Sequence, residues 1–238
     1  MNLVIDCGNT RIKAAIFSGK NLTDKYSFSD DVELKGFLNH HRFDGALVSS
    51  VSWDGNTVLN WISAKKKFLL THLLPLPIQL QYQTPETLGV DRIAAVSGAW
   101  GIFPDRDSLV IDAGTCVTYD YVDATRNYWG GAISPGMAMR FEALHVFTKR
   151  LPLVSNMNGA ELIGSTTENS IRSGVMNGMV AEMEGIIKAY RDFHPSLGVI
   201  LCGGDALFFE NKLKPTIFAA PDLVLNGLNR ILLHNAAL

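Results

Sequence analysis

The chain has 238 residues, of which 47% are hydrophobic and 18% are charged, and its formal net charge is −2. This composition supports a sizeable packed core and excludes a disordered chain. The charge is near neutral and there is no basic block beyond Lys65–Lys67, which argues against broad binding to nucleic acid. We interpret the lysine triplet as a solvated turn or a helix end.

No apolar run reaches the roughly 18 residues that a membrane-spanning helix needs. Asp6 interrupts the first apolar run and no cationic segment precedes it, so no signal peptide is predicted. We therefore expect a cytoplasmic protein without a membrane partner. The three cysteines, Cys7, Cys116 and Cys202, have no CxxC spacing, and each is expected to serve as a small apolar residue where backbones approach closely. A redox or nucleophilic role is the alternative.

Strand and helix patterns alternate through the first half of the chain. Residues 3–20 predict a β-hairpin, residues 32–43 a short amphipathic helix, residues 45–51 a strand and residues 55–65 a further helix. Three prolines between residues 71 and 89 predict extended segments and loops. Apolar spacing from Val90 to Phe103 predicts a helix that ends at Pro104.

The second half begins with strands at residues 108–114 and 116–123, followed by a Gly-rich loop that leads into a helix within residues 128–147. A long helix starts near Thr166 or Thr167, and a buried strand at residues 197–204 is expected to be the last. The apolar stripe of the long helix is predicted to comprise Ile171, Val175, Met179, Met183, Ile186 or Ile187, and Tyr190. A line of glycines, Gly174, Gly178 and Gly185, predicts close contact with another element.

One strand-and-turn segment is written twice in this chain. LVIDCGNT (residues 3–10) and LVIDAGTC (residues 109–116) agree at five of eight positions. Since strands, turns and helices follow both copies, we predict an α/β protein with two related halves, residues 1–106 and 107–238. The halves are expected to face each other across a cleft.

The repeated turn carries groups that suit a phosphate ligand. An apolar strand ending in Asp, then Gly and Thr, delivers a carboxylate and a hydroxyl, and the Gly allows close backbone approach. A single Asp-x-Gly is weak support, because ordinary hairpin turns contain it. Two copies and a third turn at Gly203-Gly204 are more specific. Neither a P-loop nor a GxGxxG dinucleotide motif is present.

Three such turns resemble the actin–hexokinase superfamily, which holds a nucleotide between two duplicated ribonuclease-H-like domains. The resemblance sharpens to the type III pantothenate kinase family over residues 3 to about 230. It rests on six segments in order: DCGNTRIK (6–13), LGVDRIAAVSGAW (88–100), DAGTCVTYD (112–120), GGAISPGMAMR (130–140), STTENSIRSG (165–174) and CGGDA (202–206). The resemblance implies ATP-dependent phosphorylation of pantothenate to 4′-phosphopantothenate, the first step of coenzyme A biosynthesis.

The resemblance also implies roles for individual residues. Asp91 would accept the proton of the substrate hydroxyl, Asp112 would hold a monovalent cation (K⁺ or NH₄⁺), and Asp6 would lie near Mg²⁺. The ATP-binding residues would be Asp6, Cys7, Gly8, Asn9, Thr10, Arg11, Ile12, Lys13 and Thr115. The pantothenate-binding residues would be Tyr82, Gly89, Val90, Asp91, Arg92 and Thr167. Thr166 is the alternative to Thr167; counting from Gly164 favours Thr167.

The chemistry of phosphoryl transfer is consistent with these residues, since it depends on positioning and charge neutralisation. Asp91 lies near a predicted helix N-terminus and beside Arg92, and both are expected to lower its pKa. The fork of Arg92 matches a carboxylate such as that of pantothenate. An isolated Asp-Arg pair at a helix start is otherwise explained as a cap with a surface ion pair.

Three other functions remain as alternatives: a kinase for another small polar alcohol, a regulator that senses ATP without catalysis, and a filament-forming ATPase. Intact Asp91, Arg92 and Asp112 disfavour the regulator, and the chain has no room for the inserted subdomains expected of the filament protein. The glycine-lined helix and the apolar residues 130–147 suggest a subunit contact. The resemblance implies a homodimer.

Overall fold

The computed structural model describes residues 1–154, 159–214 and 216–237, which form an α/β fold with two mixed sheets. The strands are β1 (Asn2–Cys7), β2 (Ile12–Ser18), β3 (Asn21–Phe28), β4 (Phe43–Ser50), β5 (Ala64–Leu69), β6 (Gln79–Leu80), β7 (Ser108–Ala113), β8 (Cys116–Val122), β9 (Asn127–Pro135), β10 (Gly198–Cys202) and β11 (Phe218–Ala219). The α-helices are α1 (Asp31–Leu38), α2 (Gly55–Trp61), α3 (Val90–Ile102), α4 (Met137–Val146), α5 (Thr167–Arg172), α6 (Gly178–Phe193), α7 (Ala206–Glu210) and α8 (Leu223–Ala236).

The first sheet has the strand order β3-β2-β1-β4-β5. β1 pairs antiparallel with β2 and parallel with β4, which confirms the predicted hairpin and the strand that follows it. The central strand β1 is apolar on both faces because both are covered, and Leu3, Val4 and Ile5 are fully buried. The helices predicted after β3 and β4 are present but shorter, as α1 and α2.

The lysine triplet is not a turn or a helix end. Lys65–Lys67 lie on β5, at the edge of the first sheet, and β5 pairs in parallel with β4. Charged side chains on an edge strand hinder pairing with another chain, which gives the triplet a structural role. The prediction was wrong because three lysines in sequence give no alternating pattern.

The second sheet has the strand order β11-β10-β7-β8-β9-β6. Its order β9-β8-β7-β10-β11 matches β3-β2-β1-β4-β5 in the first sheet, so the sequence repeat is also a repeat of topology. Two predictions in this region were wrong. The Gly-rich segment before α4 is strand β9, and β10 is followed by β11. Helix α8, which the sequence did not predict, comes after β11.

Helices α3 and α8 pack against each other at very short range. A Cβ at Gly227 would collide with the carbonyl oxygen of Ala94, and one at Gly98 would meet the carbonyl oxygen of Leu223 at 2.5 Å. Glycines at these positions let the two backbones meet, and the buried face of α3 includes Ile93. This packing fixes α3, whose first turn carries Asp91.

The long helix contains a π-helical turn, Ser173–Asn177, between α5 and α6. Its predicted apolar stripe is confirmed: the buried members are Ile171, Val175, Met179, Met183 and Ile187. The predicted close contact of the glycine line is wrong within the described residues. A Cβ at Gly174, Gly178 or Gly185 would meet no atom within 4 Å.

The described chain divides into two compact units. Unit 1 comprises residues 1–108, 120–130 and 222–238, and unit 2 comprises residues 109–119 and 131–221. The division of the sequence into halves at residue 106 stays a prediction. None of the described helices combines the length and the apolar character that crossing a membrane requires.

Candidate active site

The first repeated turn joins β1 to β2 in unit 1. Residues 9–11 are exposed at its tip, whereas Cys7 and Ile12 are buried beneath it. The hydroxyl of Ser52 donates to the carbonyl oxygens of Cys7 and Gly8, at 3.3 and 2.8 Å, and so holds the start of the turn. Asp6 is half-buried at the end of β1, opposite Lys13 in the strand register.

Cys7 lies under this turn as a neutral thiol. Burial, and secondarily the charge of Asp6, raises the pKa of Cys7 to about 11. A thiol that stays protonated at neutral pH is a poor nucleophile. The predicted role of Cys7 as a small apolar residue therefore fits its surroundings better than the redox alternative.

The second repeated turn joins β7 to β8 in unit 2, with Asp112 half-buried and Thr115 exposed. The backbone N–H of Gly136 donates to the carbonyl oxygen of Thr115 at 3.2 Å, and a Cβ at Gly136 would collide with the turn. Gly203, at φ +96°, approaches from the other glycine turn, where a Cβ would collide with Asp112 Oδ1 and the carbonyl oxygen of Ala113. Two glycines thus make close contact with one turn.

Gly89 is the N-cap residue of α3, and the next residues carry the predicted substrate segment. The backbone N–H of Arg92 donates to Asp91 Oδ1 at 2.9 Å. This carboxylate folds back over Gly89, where a Cβ would lie 2.6 Å from the same oxygen. In this conformation, the Asp91 side chain leaves no room for a Cβ at residue 89.

Arg92 does not form the surface ion pair that an isolated cap predicts. Its side chain is buried and contacts Asp120 on β8, with Nε 2.9 Å and Nη2 2.7 Å from Asp120 Oδ1. Tyr128 on β9 donates its hydroxyl to the same oxygen at 2.6 Å. The Arg92 guanidinium lies 5.9 Å from the ring of Tyr82, which stacks on Tyr128 at 6.3 Å. The structure thus brings Tyr82, Asp91 and Arg92 together within unit 1.

The expected depression of the Asp91 pKa is wrong. Burial is the largest influence and raises the pKa of Asp91, and the negative charge of Asp120 raises it further. The hydrogen bond from the Arg92 N–H and the charge of Arg92 act in the opposite direction but are outweighed. Arg92 is already paired with Asp120, so its charge is partly neutralised before it reaches Asp91.

Thr167 is the first residue of α5 and is exposed, in unit 2. Its neighbour Thr166 is the N-cap residue, and its hydroxyl accepts from the N–H of Asn169 at 3.2 Å. Thr166 is therefore engaged in capping the helix, which agrees with the choice of Thr167. The role of Thr167 towards a substrate stays a prediction.

Sequence reasoning missed Asp120, Tyr128 and Gly130. A Cβ at Gly130, at φ +101°, would lie 2.9 Å from the ring of Tyr82, so this glycine makes room for the ring. The available signal was a charged residue inside the otherwise apolar run of β8, since a buried carboxylate requires a partner. Its partner lies 28 residues away and could be identified only from the structure.

Metal ions were expected at Asp6 and Asp112. The described residues contain no group of three His, Cys, Asp or Glu side chains arranged to hold a metal ion. Each turn instead offers one half-buried carboxylate at a strand end. Mg²⁺ commonly binds through one or two carboxylates together with substrate phosphates and water, and oxygen ligands also suit K⁺. One carboxylate at each strand end therefore fits an ion that takes its remaining oxygen ligands from phosphates, carbonyls or water.

Solved structures with a similar fold include a conserved Campylobacter jejuni protein assigned to the Baf family of transcriptional activators. Its TM-score is 0.66 at 21% identity, covering 99% of this chain and all of that one. Component A of (R)-2-hydroxyglutaryl-CoA dehydratase from Acidaminococcus fermentans gives 0.55 at 17% identity, over 98% and 96% of the two chains. A glucokinase from an Antarctic psychrotroph gives 0.54 at 11% identity, over 98% of each chain. The fold is therefore that of the actin–hexokinase class of ATPases and sugar kinases.

Sequence comparison narrows this class to one family. The type III pantothenate kinase family matches residues 2–189. The type III pantothenate kinase of Phocaeicola vulgatus is 44% identical over 239 residues, covering 99% of each chain. That of Cytophaga hutchinsonii is 42% identical, covering 99% of this chain and all of the other. This chain belongs to the type III pantothenate kinase family.

Proposed function

We propose that the protein transfers the γ-phosphoryl group of ATP to the primary hydroxyl of pantothenate, giving ADP and 4′-phosphopantothenate in the first step of coenzyme A biosynthesis. Family membership over nearly the whole chain supports ATP as the donor and pantothenate as the acceptor. The observation that carries the chemistry is Asp91, a half-buried carboxylate with a raised pKa at the start of α3. A raised pKa makes a carboxylate a better proton acceptor.

Pantothenate has a hydroxyl end that reacts and a carboxylate end that must be recognised. Asp91 accepts the proton of the attacking hydroxyl, and Arg92 binds the carboxylate. Tyr82, Gly89 and Val90 complete the pocket, with Thr167 as a further contact. The contacts among Tyr82, Asp91 and Arg92 support a shared role for these three residues.

ATP is bound through the first turn, Asp6 to Lys13, and through Thr115 of the second turn. Asp6 would hold Mg²⁺ near the phosphates, and the ion would supply the charge neutralisation that phosphoryl transfer demands. Asp112 would hold a monovalent cation, K⁺ or NH₄⁺. The protein acts in the cytoplasm as a homodimer, with the exposed glycine line of the long helix (Gly174, Gly178 and Gly185) and residues 130–147 at the subunit contact.

The test is an ADP-release assay with ATP and Mg²⁺, with and without pantothenate, in K⁺, NH₄⁺ or Na⁺. We expect turnover that depends on pantothenate and on K⁺ or NH₄⁺. Asp91→Asn is expected to reduce kcat by about 10²- to 10⁴-fold, the usual contribution of a general base. Asp30→Asn is the matched control, since Asp30 caps helix α1 with an exposed carboxylate and Asn caps a helix equally well.

The variant Asp112→Asn tests the proposed cation site independently of the proposed proton acceptor, Asp91. Its turnover is expected to lose the difference between K⁺ and Na⁺ while still requiring pantothenate. Wild-type protein that releases no ADP with pantothenate would remove the substrate assignment. Release with another small alcohol instead would make that alcohol the substrate.

A further inference from the structure

We propose that Asp120, assisted by Tyr128, is a positioning residue that holds the Arg92 guanidinium through Nε and so orients it for the substrate carboxylate. This inference rests on the proposed function, because it assigns a task to the side chains around Asp91 and Arg92. It concerns unit 1 alone, which contains all four residues.

The geometry of the contact is specific. One oxygen, Asp120 Oδ1, accepts hydrogen bonds from Arg92 Nε at 2.9 Å and from the hydroxyl of Tyr128 at 2.6 Å. Arg92 Nη2 lies 2.7 Å from the same oxygen as an ion-pair contact, and it is buried without a hydrogen-bond partner. The guanidinium is therefore held at Nε, and Nη2 keeps the capacity to donate to a ligand.

Burial distinguishes this ion pair from the others in the described chain. The Asp120 side chain is 0% exposed and that of Arg92 is 7% exposed, whereas the other ion pairs within the described ranges each have at least one partner that is 25% exposed or more. A fully buried pair is seldom a source of net stability, since desolvation offsets the attraction. A fixed and desolvated cation is, by contrast, what recognition of a carboxylate requires.

The charge of Asp120 also acts on Asp91. The charged groups that influence Asp91 are Arg92, which follows it on α3, and Asp120 on β8. Arg92 lowers the pKa of Asp91 and Asp120 raises it. The charge of Asp120 thus offsets the effect of Arg92 on the neighbouring Asp91, so that Asp91 loses little of its basicity.

The decisive experiment compares wild type with Asp120→Asn and Tyr128→Phe by steady-state kinetics over a range of pH. In Asp120→Asn we expect the KM for pantothenate to rise about tenfold or more, because Arg92 is no longer held. Loss of the Asp120 charge also lowers the Asp91 pKa, so the acid limb of the kcat profile moves to lower pH. Tyr128→Phe is expected to raise KM about threefold.

Asp222→Asn is the control, since it removes a carboxylate of unit 1 whose partner is the exposed Lys25. It is expected to leave KM and the pH profile unchanged. A purely structural role of Asp120 would lower the yield of active protein without moving KM or the acid limb, and that result would overturn the inference.

Tyr128→Phe keeps the test decisive if Asp120→Asn does not fold. An unchanged KM in Tyr128→Phe would then count against the positioning role, and a raised KM would support it. Wild-type protein without pantothenate-dependent turnover would overturn the proposed function together with the inference. Wild-type turnover with unaltered variants would overturn the inference alone.

Discussion

Asp91 is stabilised in its protonated form by the folded protein. Its pKa is raised chiefly by burial, so its contribution to stability is fully present below the ordinary pKa of about 4 and is lost as the pH rises through the folded-state pKa. At neutral pH the charged carboxylate destabilises the fold. The residue that we propose as the proton acceptor is therefore unfavourable for folding, as is common for functional groups.

We accordingly predict that Asp91→Asn is more stable than wild type at neutral pH. Asn is uncharged and keeps an oxygen that accepts from the Arg92 N–H. The gain in free energy of unfolding should shrink as the pH falls towards about 4, because wild-type Asp91 is then protonated. Urea unfolding between pH 4 and pH 8 measures this difference. A gain that grows with acidity would contradict the raised pKa.

The sequence places Asp91 and Arg92 in one short segment at a helix start, which the structure confirms, whereas their roles rest on the family resemblance and stay predictions. It did not predict the state of their charges, which depends on Asp120 and on burial. Local sequence predicts local effects, such as the helix terminus and the neighbouring Arg. Desolvation depends on residues brought together by the fold, so the direction of the Asp91 pKa shift could not be predicted from the sequence.

At the scale of a single element, the turn after β10 is built for close contact with the turn after β7. Gly203 has φ +96°, and a Cβ there would collide with the backbone of Ala113. Gly204, the next residue, has an exposed position where a Cβ would meet nothing within 4 Å. A glycine is therefore needed for the close contact at residue 203, whereas residue 204 has space for a side chain.

Gly203→Ala is expected to destabilise the protein by about 1–3 kcal/mol, since an L-residue is strained at this φ and the neighbouring turn must move. The KM for ATP should rise with it if the second turn binds the nucleotide. Gly204→Ala should change neither quantity appreciably. Thermal unfolding and the ADP-release assay measure both effects. Equal behaviour of the two variants would mean that the close contact is unimportant.

Elements with apolar, alternating or helical patterns were predicted well, as for β1, β4, β7 and α3. The strands that the sequence did not predict depend instead on their positions in the sheet. β3 is largely exposed and polar, and it forms because β2 presents an unpaired edge beside it. β5 is an edge strand that carries three lysines. Such strands form because an adjacent strand offers backbone hydrogen-bond partners. Their own sequences therefore show little of the pattern that predicts a strand.

For the molecule as a whole, apolar side chains remain exposed on unit 2. Ile133, Val146 and Phe147 are 63%, 62% and 86% exposed. Large apolar side chains that are this exposed become buried when they lie at a protein contact. The proposed homodimer would cover them.

We predict a mass in solution of about twice 26.1 kDa by light scattering at micromolar concentration. Phe147→Glu should shift the protein to the monomer, because a charge cannot be buried at such a contact without a partner. Leu73→Glu is the matched control, since Leu73 is similarly exposed, at 81%, and is not among the residues proposed for the contact. A monomeric wild type, or dissociation by Leu73→Glu alone, would contradict this placement of the subunit contact.

Helix α8 belongs to unit 1, although it follows all of unit 2 along the chain. The ribosome therefore synthesises the first sheet early, and the helix that packs on α3 only after unit 2 is complete. Domains usually fold in the order in which they leave the ribosome. Unit 1 cannot complete its fold until α8 has been synthesised, so the apolar surface that α8 covers is exposed during translation. Chaperones that bind nascent chains would therefore encounter unit 1 in a partly folded state.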